Sequence, residues 1–223
     1  GFHGTSHKYV SNKVAKAMGR NIEDLKIVTC HLGNGCSLSA IKNGKSIDTS
    51  MGFTPLAGVM MGTRSGSIDP SVISFLIEQH GYTIEEVDEL LNKKSGLYGI
   101  TGLNPDFREI ELASYEEDKP KAKVAINMFT KIIAQFVAKY AVSLKGIDAI
   151  VFTGGIGENQ INIRKSICEN LAWMGLEIDL DKNNVKSEET KISTENSKVL
   201  TYIIPTDEEM VIARDTKALV EAL

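Results

Sequence analysis

Arg64 is the basic residue of the stretch VMMGTRSGSIDP, which runs from residue 59 to residue 70. Its neighbours include glycines, serines and a threonine, and small residues let a backbone approach a ligand closely. A guanidinium binds oxyanions with a planar fork of N–H donors. The stretch therefore predicts an anion-binding arginine, although a surface ion pair with Asp69 is the simpler interpretation when Arg64 is taken singly.

Two glycine-containing stretches are candidate phosphate loops. HLGNG, residues 31–35, fits either a tight Asn-Gly hairpin turn or a loop whose N–H groups face a phosphate. VFTGGIGEN, residues 151–159, joins an apolar strand to a helix, and ligands collect beyond the carboxyl ends of strands in α/β sheets. It matches neither GxGxxG nor the P-loop pattern, which disfavours a Rossmann site and a Walker ATPase. A turn without a ligand remains an equal alternative for it.

Histidines and carboxylates complete the candidate set. His3 and His7 stand four residues apart, but the glutamate of a zinc H-E-x-x-H motif is absent, so a structural histidine or one beside a phosphoryl group is favoured. In PTDEE, Thr206 and Glu209 fit a capping box, which leaves Asp207 and Glu208 without a structural role, and a carboxylate at this position can hold a Mg²⁺-bound water. Phosphoryl transfer needs this set of parts, and no GxSxG or Ser-His-Asp pattern competes with it.

Composition restricts the class of protein. The 223 residues are 42% hydrophobic, with 25 basic and 29 acidic side chains and a net charge of −4. A mildly acidic chain without a basic run argues against binding to nucleic acid or to an anionic membrane. No apolar run approaches the roughly 20 residues that span a bilayer. The three cysteines lack metal-type spacing, so we expect buried thiols in a cytoplasmic protein.

The periodicity of apolar residues predicts an α/β fold. Three strands joined by Asn-Gly turns are predicted over 26–32, 36–41 and 45–50, and two later strands over 148–153 and 199–204. Helices are predicted over 5–19, 70–81, 83–93, 121–144, 162–173 and 206–223. Residues 95–111 are predicted as a loop and 182–198 as a polar surface excursion. A meander followed by strands alternating with helices predicts a mixed sheet with helices on its faces.

Five stretches resemble the acetate kinase family closely and in order across essentially the whole chain: GFHGTSHKYV, HLGNG, DTSMGFTPLAGVMMGTRSGSIDP, FTGGIGEN and PTDEE. The resemblance implies a ribonuclease-H-like domain of the actin/hexokinase/Hsp70 ATPase class. It also implies a phosphotransferase that converts ATP and acetate to ADP and acetyl phosphate with Mg²⁺. A propionate or butyrate kinase is the close alternative, and a non-catalytic nucleotide-binding module is the distant one.

The resemblance also implies roles for individual residues. His3 and Arg64 match transition-state residues, and Glu208 matches the Mg²⁺ carboxylate. The matches for nucleotide binding are His31, Leu32, Gly33, Asn34 and Gly35 in a phosphate loop, Asp106, Phe107 and Arg108 in an adenosine stretch, and Gly154, Gly155, Ile156, Gly157 and Glu158 beyond a strand. The chain departs from the family at Asn104-Pro105, where small polar residues are usual.

The resemblance covers the carboxy-terminal part of the family's chain. We therefore expect residues 1–223 to form the nucleotide-binding domain, with most of the acetate site in an amino-terminal half outside them. The last helix, 206–223, could then pack on that missing half. The resemblance further implies a homodimer, and the chain alone is expected to have negligible kinase activity.

Overall fold

The computed structural model describes residues 2–222, which form six strands and nine helices. The strands are β1 (Lys26–Leu32), β2 (Cys36–Lys42), β3 (Lys45–Thr49), β4 (Ala149–Thr153), β5 (Thr190–Lys191) and β6 (Leu200–Ile203). The helices are α1 (Gly4–Ala17), α2 (Ser71–His80), α3 (Ile84–Lys93), α4 (Gly96–Thr101), α5 (Phe107–Ala113), α6 (Pro120–Leu144), α7 (Gly154–Asn159), α8 (Ile161–Asn170) and α9 (Glu208–Glu221).

The strands form one mixed sheet in the order β3-β2-β1-β4-β6-β5. β1, β2 and β3 pair antiparallel as the predicted meander, whereas β4 pairs parallel to both β1 and β6. Asn43 and Gly44 both have positive φ, as a tight hairpin turn requires. This arrangement of strands confirms the predicted ribonuclease-H-like fold.

Alternate residues of the strands face two different helical layers. On one face, Val10 and Val14 of α1 pack with Ile27, Ile41 and Val151. On the other face, α6 and α8 pack against residues such as Val28, Leu38 and Phe152. Because side chains alternate along a strand, each buried strand contributes to both layers.

The long helix α6 lies centrally, as its sequence predicts. Ala125, Phe129, Ile133, Val137 and Tyr140 of this helix are buried in the larger core. It ends where Lys145 adopts a left-handed conformation and Gly146 follows with φ 108°. Such a left-handed residue stops the helix and turns the chain into β4.

Two segments predicted to be irregular contain regular structure. Residues 95–111 include α4 and the beginning of α5, so the loop prediction is wrong there. Glycines made this stretch resemble a loop, but Gly96 and Gly102 instead mark the two ends of α4 with positive φ. Residues 182–198 include β5 and the buried residues Asn183 and Ile192, so this segment is not merely a surface excursion.

Helix α2 forms as predicted but does not bury its apolar face. None of its residues is buried, and Phe75 is 54% exposed. Its contacts are chiefly with α3, whose capping box at Thr83 and Glu86 is present as predicted. Apolar periodicity therefore predicts the helix correctly. Whether its apolar face is buried depends on what packs against it in the fold, which periodicity does not indicate.

The three cysteines, Cys30, Cys36 and Cys168, are buried and free, as predicted. Burial raises the pKa of the Cys36 and Cys168 thiols to about 12, so these groups are protonated at neutral pH. Among residues 2–222, no helix combines the length and the hydrophobicity required to cross a membrane.

Candidate functional site

A cavity of about 930 Å³ opens beside the carboxyl ends of β1 and β4. It is lined by Gly33, Asn34, Gly62, Thr63, Asn104, Pro105, Asp106, Phe107, Arg108, Gly155, Ile156, Asn159, Gln160 and Lys186. Seven of the predicted nucleotide-binding residues are among them: Gly33, Asn34, Asp106, Phe107, Arg108, Gly155 and Ile156. The edge where parallel strands end is where ligands collect in open α/β sheets.

Close packing of main chain explains the glycine at position 154. Gly154 has φ 76°, and a Cβ there would lie 2.8 Å from the carbonyl oxygen of Leu32. Only glycine tolerates both the conformation and that approach. The side chain of Leu32 is fully buried, so this residue can reach a ligand at the cavity only through its main chain.

The carboxylate of Glu158 is engaged by the protein. Its Oε1 accepts hydrogen bonds from the Gly154 amide at 2.9 Å and from the Thr206 amide at 3.2 Å. The Thr153 hydroxyl donates to the same oxygen at 3.3 Å. Glu158 thus joins the beginning of α7 to the segment before α9, and it holds two parts of the site together.

Main-chain hydrogen bonds fix the segment that carries Arg64. The Met61 amide donates to the Arg64 carbonyl at 3.0 Å, and the Leu97 amide donates to the Met61 carbonyl at 2.9 Å. The Ser95 amide donates to the Thr63 carbonyl at 2.9 Å. The start of α4 therefore holds the Arg64 segment in one conformation without help from a ligand.

The ion pair considered for Arg64 does not form. Asp69 instead accepts a hydrogen bond from the Ser71 amide at the start of α2. Within residues 2–222, Arg64 forms no salt bridge, and Nη1 has a polar contact with Met61 Sδ at 3.7 Å. The half-buried guanidinium is therefore available to an anion.

Arg64 and His3 meet at the turn between β1 and β2. A Cβ placed on Gly35 would lie 3.5 Å from Arg64 Nη1 and 3.5 Å from His3 Cε1. His3 directly precedes α1 and has a left-handed backbone, with φ 56°. The two predicted catalytic side chains therefore flank one end of the predicted phosphate loop.

A buried polar layer supports His3. Ser37 Oγ lies 2.8 Å from His3 Nδ1 and 2.8 Å from His7 Nε2. His7 Nδ1 lies 2.7 Å from Thr29 Oγ1. All of these contacts lie between α1 and the sheet, at the end of that interface nearest the cavity.

His31 stacks on His3 with ring centroids 4.0 Å apart. Its Nδ1 lies 2.8 Å from Ser6 Oγ, and the Thr206 hydroxyl donates to Ser6 at 2.9 Å. His31 is therefore oriented by the beginning of α1 and by the segment before α9. The sequence pattern that predicts a phosphate-loop role for His31 does not indicate that Ser6 and Thr206 orient it.

Burial keeps the three histidines neutral at pH 7. Desolvation, together with neighbouring histidines, lowers the pKa of His7 to about 3 and that of His31 to about 4. Desolvation also lowers the pKa of His3; the Glu208 charge opposes this effect, and the Arg64 charge adds to it. Arg64 consequently supplies a fixed positive charge beside neutral imidazoles.

The start of α9 differs from the predicted capping box. Asp207 is the capping residue, and its carboxylate accepts from the Met210 amide at 2.9 Å. The Thr206 hydroxyl is directed to Ser6 instead of to the helix, because residue 206 also lies against α1. Glu208 is half-buried in the first turn, close enough to His3 to act on its pKa.

Residues 106–108 form another part of the cavity wall. Asp106 caps α5 and pairs with Arg108, with 2.7 Å between Asp106 Oδ2 and Arg108 Nη2. Hydrogen bonds from the side chain and amide of Arg108 lower the pKa of Asp106 to about 2. Phe107 is largely buried, and its ring centroid lies 5.1 Å from that of Phe129, so this side chain mainly fastens the wall to the core.

No sequence pattern indicates the roles of Arg164 and Lys186. Arg164 is fully buried and donates to the carbonyls of Gly157, Asn183 and Val185 and to the Asn183 side chain. These bonds fasten the segment that brings Lys186 to the cavity. Such a buried arginine on a helix has no spacing signature, because its partners are main-chain carbonyls distant in sequence.

Comparisons with known proteins agree with this geometry. The acetokinase family model matches residues 1–214. The acetate kinase of Caldanaerobacter subterraneus subsp. tengcongensis is 55% identical over 223 residues, which is 100% of this chain and 56% of that protein. The acetate kinase of Clostridium novyi is 54% identical over 221 residues, 99% of this chain and 55% of that protein.

Solved structures show the same relationship. Porphyromonas gingivalis acetate kinase aligns with a TM-score of 0.95 and 44% identity, over 99% of this chain and 55% of that one. A propionate kinase from Francisella tularensis subsp. tularensis SCHU S4 aligns with a TM-score of 0.87 and 48% identity, over 96% of this chain and 54% of that one. This chain spans about half the length of these relatives. Because the family model covers nearly all of it, the chain belongs to the acetokinase family.

Proposed function

We propose that this chain is the nucleotide-binding half of an acetate kinase, which transfers the γ-phosphoryl group of ATP to acetate. The convergence of Arg64 and His3 on Gly35, beside a nucleotide-sized cavity, is the observation that carries the proposal. A cavity of about 930 Å³ falls in the size range of small-molecule sites. The nucleoside would occupy the part lined by residues 104–108, with the phosphates directed to residues 33–35.

The reaction requires charge stabilisation more than a nucleophilic side chain. A carboxylate oxygen of acetate attacks the γ-phosphorus as the bond to the β–γ bridging oxygen breaks, and ADP departs with that electron pair. Arg64 would bind the equatorial oxygens, where negative charge is spread in the transition state. His3 would donate a hydrogen bond to the same group, and no proton has to be removed from acetate.

The residues present fit a magnesium ion held largely by phosphates and water. Mg²⁺ in phosphoryl-transfer sites uses one or two carboxylates and keeps several waters. Within the described part of the chain there is no cluster of three or more His, Cys, Asp or Glu that could hold a metal. Glu208, half-buried and facing His3, is the carboxylate we assign to this ion, which when bound would neutralise phosphate charge.

The remaining parts of the proposal concern the whole protein. We propose that acetate is held chiefly by an amino-terminal half outside this chain, and that α9 packs on that half. Of the fourteen side chains in α9 only that of Val211 is buried, and Leu219 and Val220 are exposed. The family resemblance further suggests a cytoplasmic homodimer.

A propionate kinase is the second candidate, favoured by the structural likeness to the Francisella propionate kinase. The residues that measure the length of the acyl chain would lie mainly outside this chain. Side-by-side rates of the intact protein with acetate, propionate and butyrate distinguish the candidates. If the intact protein prefers propionate or butyrate, that acid is the substrate instead of acetate, and the proposed phosphoryl-transfer site stays the same.

Activity measurements test the proposal directly. We expect no acetyl phosphate, trapped as its hydroxamate, when this chain is incubated alone with Mg-ATP and acetate. Joining it to the amino-terminal part of the Caldanaerobacter acetate kinase that it does not match should restore turnover. A joined protein that folds and binds Mg-ADP but forms no acyl phosphate with any of the three acids would contradict the kinase assignment and favour a non-catalytic nucleotide-binding module.

A further inference from the structure

Ser37 links the candidate catalytic histidine to a second, buried histidine. Its hydroxyl contacts both His3 Nδ1 and His7 Nε2 at 2.8 Å, and His7 Nδ1 contacts Thr29 Oγ1 at 2.7 Å. Ser37 and Thr29 are fully buried, and His7 is 6% exposed. A chain of three hydrogen bonds therefore runs from Thr29 through His7 and Ser37 to His3, out of contact with solvent over most of its length.

Ser37 is fully buried and has no hydrogen-bond partner for its hydroxyl other than His3 and His7 among residues 2–222, so its proton must go to one of these histidines and the chain has two arrangements. A neutral imidazole has one N–H and one bare nitrogen, and a hydroxyl donates one proton. In the first arrangement, Thr29 donates to His7, His7 donates to Ser37, and Ser37 donates to His3 Nδ1. In the second, His3 Nδ1 donates to Ser37, Ser37 donates to His7 Nε2, and His7 Nδ1 donates to Thr29. The first places the His3 proton on Nε2, and the second places it on Nδ1.

The surroundings of His3 distinguish the two arrangements. Its Nε2 lies on the side of Gly35 and Arg64, since a Cβ on Gly35 would be 3.6 Å from this nitrogen and 3.5 Å from Arg64 Nη1. A phosphoryl group at that position presents only oxygen acceptors. A bare Nε2 would direct its lone pair at those oxygens, whereas an Nε2–H would donate to them.

We propose that Ser37 is a positioning residue for His3. The Ser37 hydroxyl donates to His3 Nδ1 and so keeps the imidazole proton on Nε2, facing the transferred phosphoryl group. This inference rests on the proposed function. His7 and Thr29 fix the direction of this bond. Thr29 donates to His7 Nδ1 and His7 Nε2 donates to Ser37, so the serine proton is available only to His3.

The neighbouring serine shows that burial alone does not create this role. Ser39 lies two residues further along β2, is 2% exposed, and contacts Ser46 Oγ at 2.8 Å. It has no hydrogen bond to a histidine among the residues that the structure describes. Ser39→Ala is therefore the matched control, because it removes a buried hydroxyl from the same strand without touching the chain of bonds.

Kinetics of the enzyme that contains this chain provide the first test. Ser37→Ala should lower kcat about tenfold, the value of one well-placed hydrogen bond, and change KM for ATP and for acetate less than about twofold. Ser37→Thr, which keeps the hydroxyl, should recover most of kcat. Ser39→Ala should leave kcat near that of the unaltered enzyme. A folded Ser37→Ala enzyme with unchanged kcat would overturn the proposal.

The imidazole ¹⁵N resonances of the 223-residue chain provide a second test that does not depend on activity. We expect His3 to show a protonated Nε2 and a bare Nδ1 in the unaltered chain, and a mixture of tautomers in Ser37→Ala. A proton on Nδ1 in the unaltered chain would refute the inference even if Ser37→Ala failed to fold. If the intact protein had no kinase activity, the proposed function would fail, and these resonances would still decide the arrangement of protons.

Discussion

Arg64 brings a fixed positive charge to a group of side chains that are otherwise neutral at pH 7. His3, His7 and His31 all have lowered pKa values, with burial as the largest cause. Of these four side chains, only the Arg64 guanidinium can therefore offer a full positive charge to a transferred phosphoryl group, and main-chain bonds hold the segment that carries it.

Removing that guanidinium should affect the transition state more than the bound nucleotide. Arg64→Ala is expected to lower kcat roughly 10²–10³-fold, the usual effect of losing one preorganised donor. The Kd for Mg-ADP should change little, because ADP lacks the transferred group. Steady-state kinetics and calorimetric titration measure the two effects. Arg20→Ala, which removes an exposed arginine paired with Asp148, serves as control; equal losses of nucleotide affinity and turnover would argue against the assigned role.

The glycines at the two ends of α4 allow a matched comparison of backbone requirements. Gly96 and Gly102 have similar positive φ, 61° and 68°, but a Cβ on Gly96 would lie 2.6 Å from the Arg64 carbonyl oxygen, whereas Gly102 has open space. Gly102→Ala should cost about 1 kcal/mol from conformation alone, and Gly96→Ala more than about 3 kcal/mol. Urea unfolding measures both, and similar costs would contradict this explanation.

Sequence reasoning at the residue scale identified charges and glycines better than their partners. Arg64 and His3 were identifiable because an isolated arginine and a histidine stand among small residues, and the structure brings both to Gly35. Ser6, Thr29 and Ser37 gave no signal. Their importance depends on how α1 lies across β1 and β2, and serine and threonine are common in strands and helix starts for unrelated reasons.

At the scale of elements, the interface between α1 and the sheet changes character along its length. Near the cavity it consists of histidine, serine and threonine side chains, and farther away it is apolar, with Val10, Val14 and Ile27. Buried polar groups are tolerated only when they are hydrogen-bonded. The apolar end therefore holds α1 on the sheet, while the polar end holds His3 and His7 in place by hydrogen bonds.

Arg164 connects α8 to α7 and to the segment that precedes Lys186. Replacing it with alanine would leave the carbonyls of Gly157, Asn183 and Val185 without their donors in a buried place. We expect Arg164→Ala to destabilise the fold by about 3–5 kcal/mol, as losses of buried charged donors do. Lys165→Ala, at the next position of α8 with a partly exposed pair to Glu169, should change stability by less than about 0.5 kcal/mol. Chemical unfolding of both variants checks this, and equal stabilities would refute it.

Element prediction succeeded where periodicity is long and failed where segments are short. α6 and the β1–β2–β3 meander have many apolar positions in register, which tertiary contacts reinforce. α4 and α7 have six residues each and several glycines, so local sequence resembles a loop. These short helices form because hydrogen bonds fix their first residues: in α4 the amides of Leu97 and Tyr98 donate to the carbonyls of Met61 and Gly62, and in α7 the Gly154 amide donates to the Glu158 carboxylate of the same helix.

At the scale of the whole molecule, the buried histidines predict that stability falls in mild acid. The pKa of His7 is about 3 in the fold and near 6.5 when unfolded, so below pH 6.5 the unfolded chain binds the additional proton. Its stabilisation is complete above pH 6.5 and is lost as the pH falls toward 3, by about 1.4 kcal/mol per pH unit. His31 acts in the same direction, and the buried carboxyl of Glu111, whose pKa burial raises, acts in the opposite one.

Urea unfolding at pH 7 and at pH 5 measures this dependence. We expect the free energy of unfolding to be lower at pH 5 by roughly 2 kcal/mol from His7 alone. His80→Gln, which removes an exposed histidine at the end of α2, should leave the difference unchanged. Equal stability at the two pH values would show that the buried histidines become protonated without cost.

The hydrogen bonds that hold the Arg64 segment against α4 join main chain to main chain. Such bonds do not depend on which side chains the residues carry. The side chains of Thr63 and Ser95 add bonds to the carbonyls of Asn92 and Leu90, but that of Tyr98 has no such bond within residues 2–222, so residue 98 can change over evolutionary time while the segment stays in place. The freedom ends at Gly66 and Gly96, where any Cβ would displace a neighbouring backbone. Natural variation should accordingly be wide at residue 98 and almost absent at these two glycines.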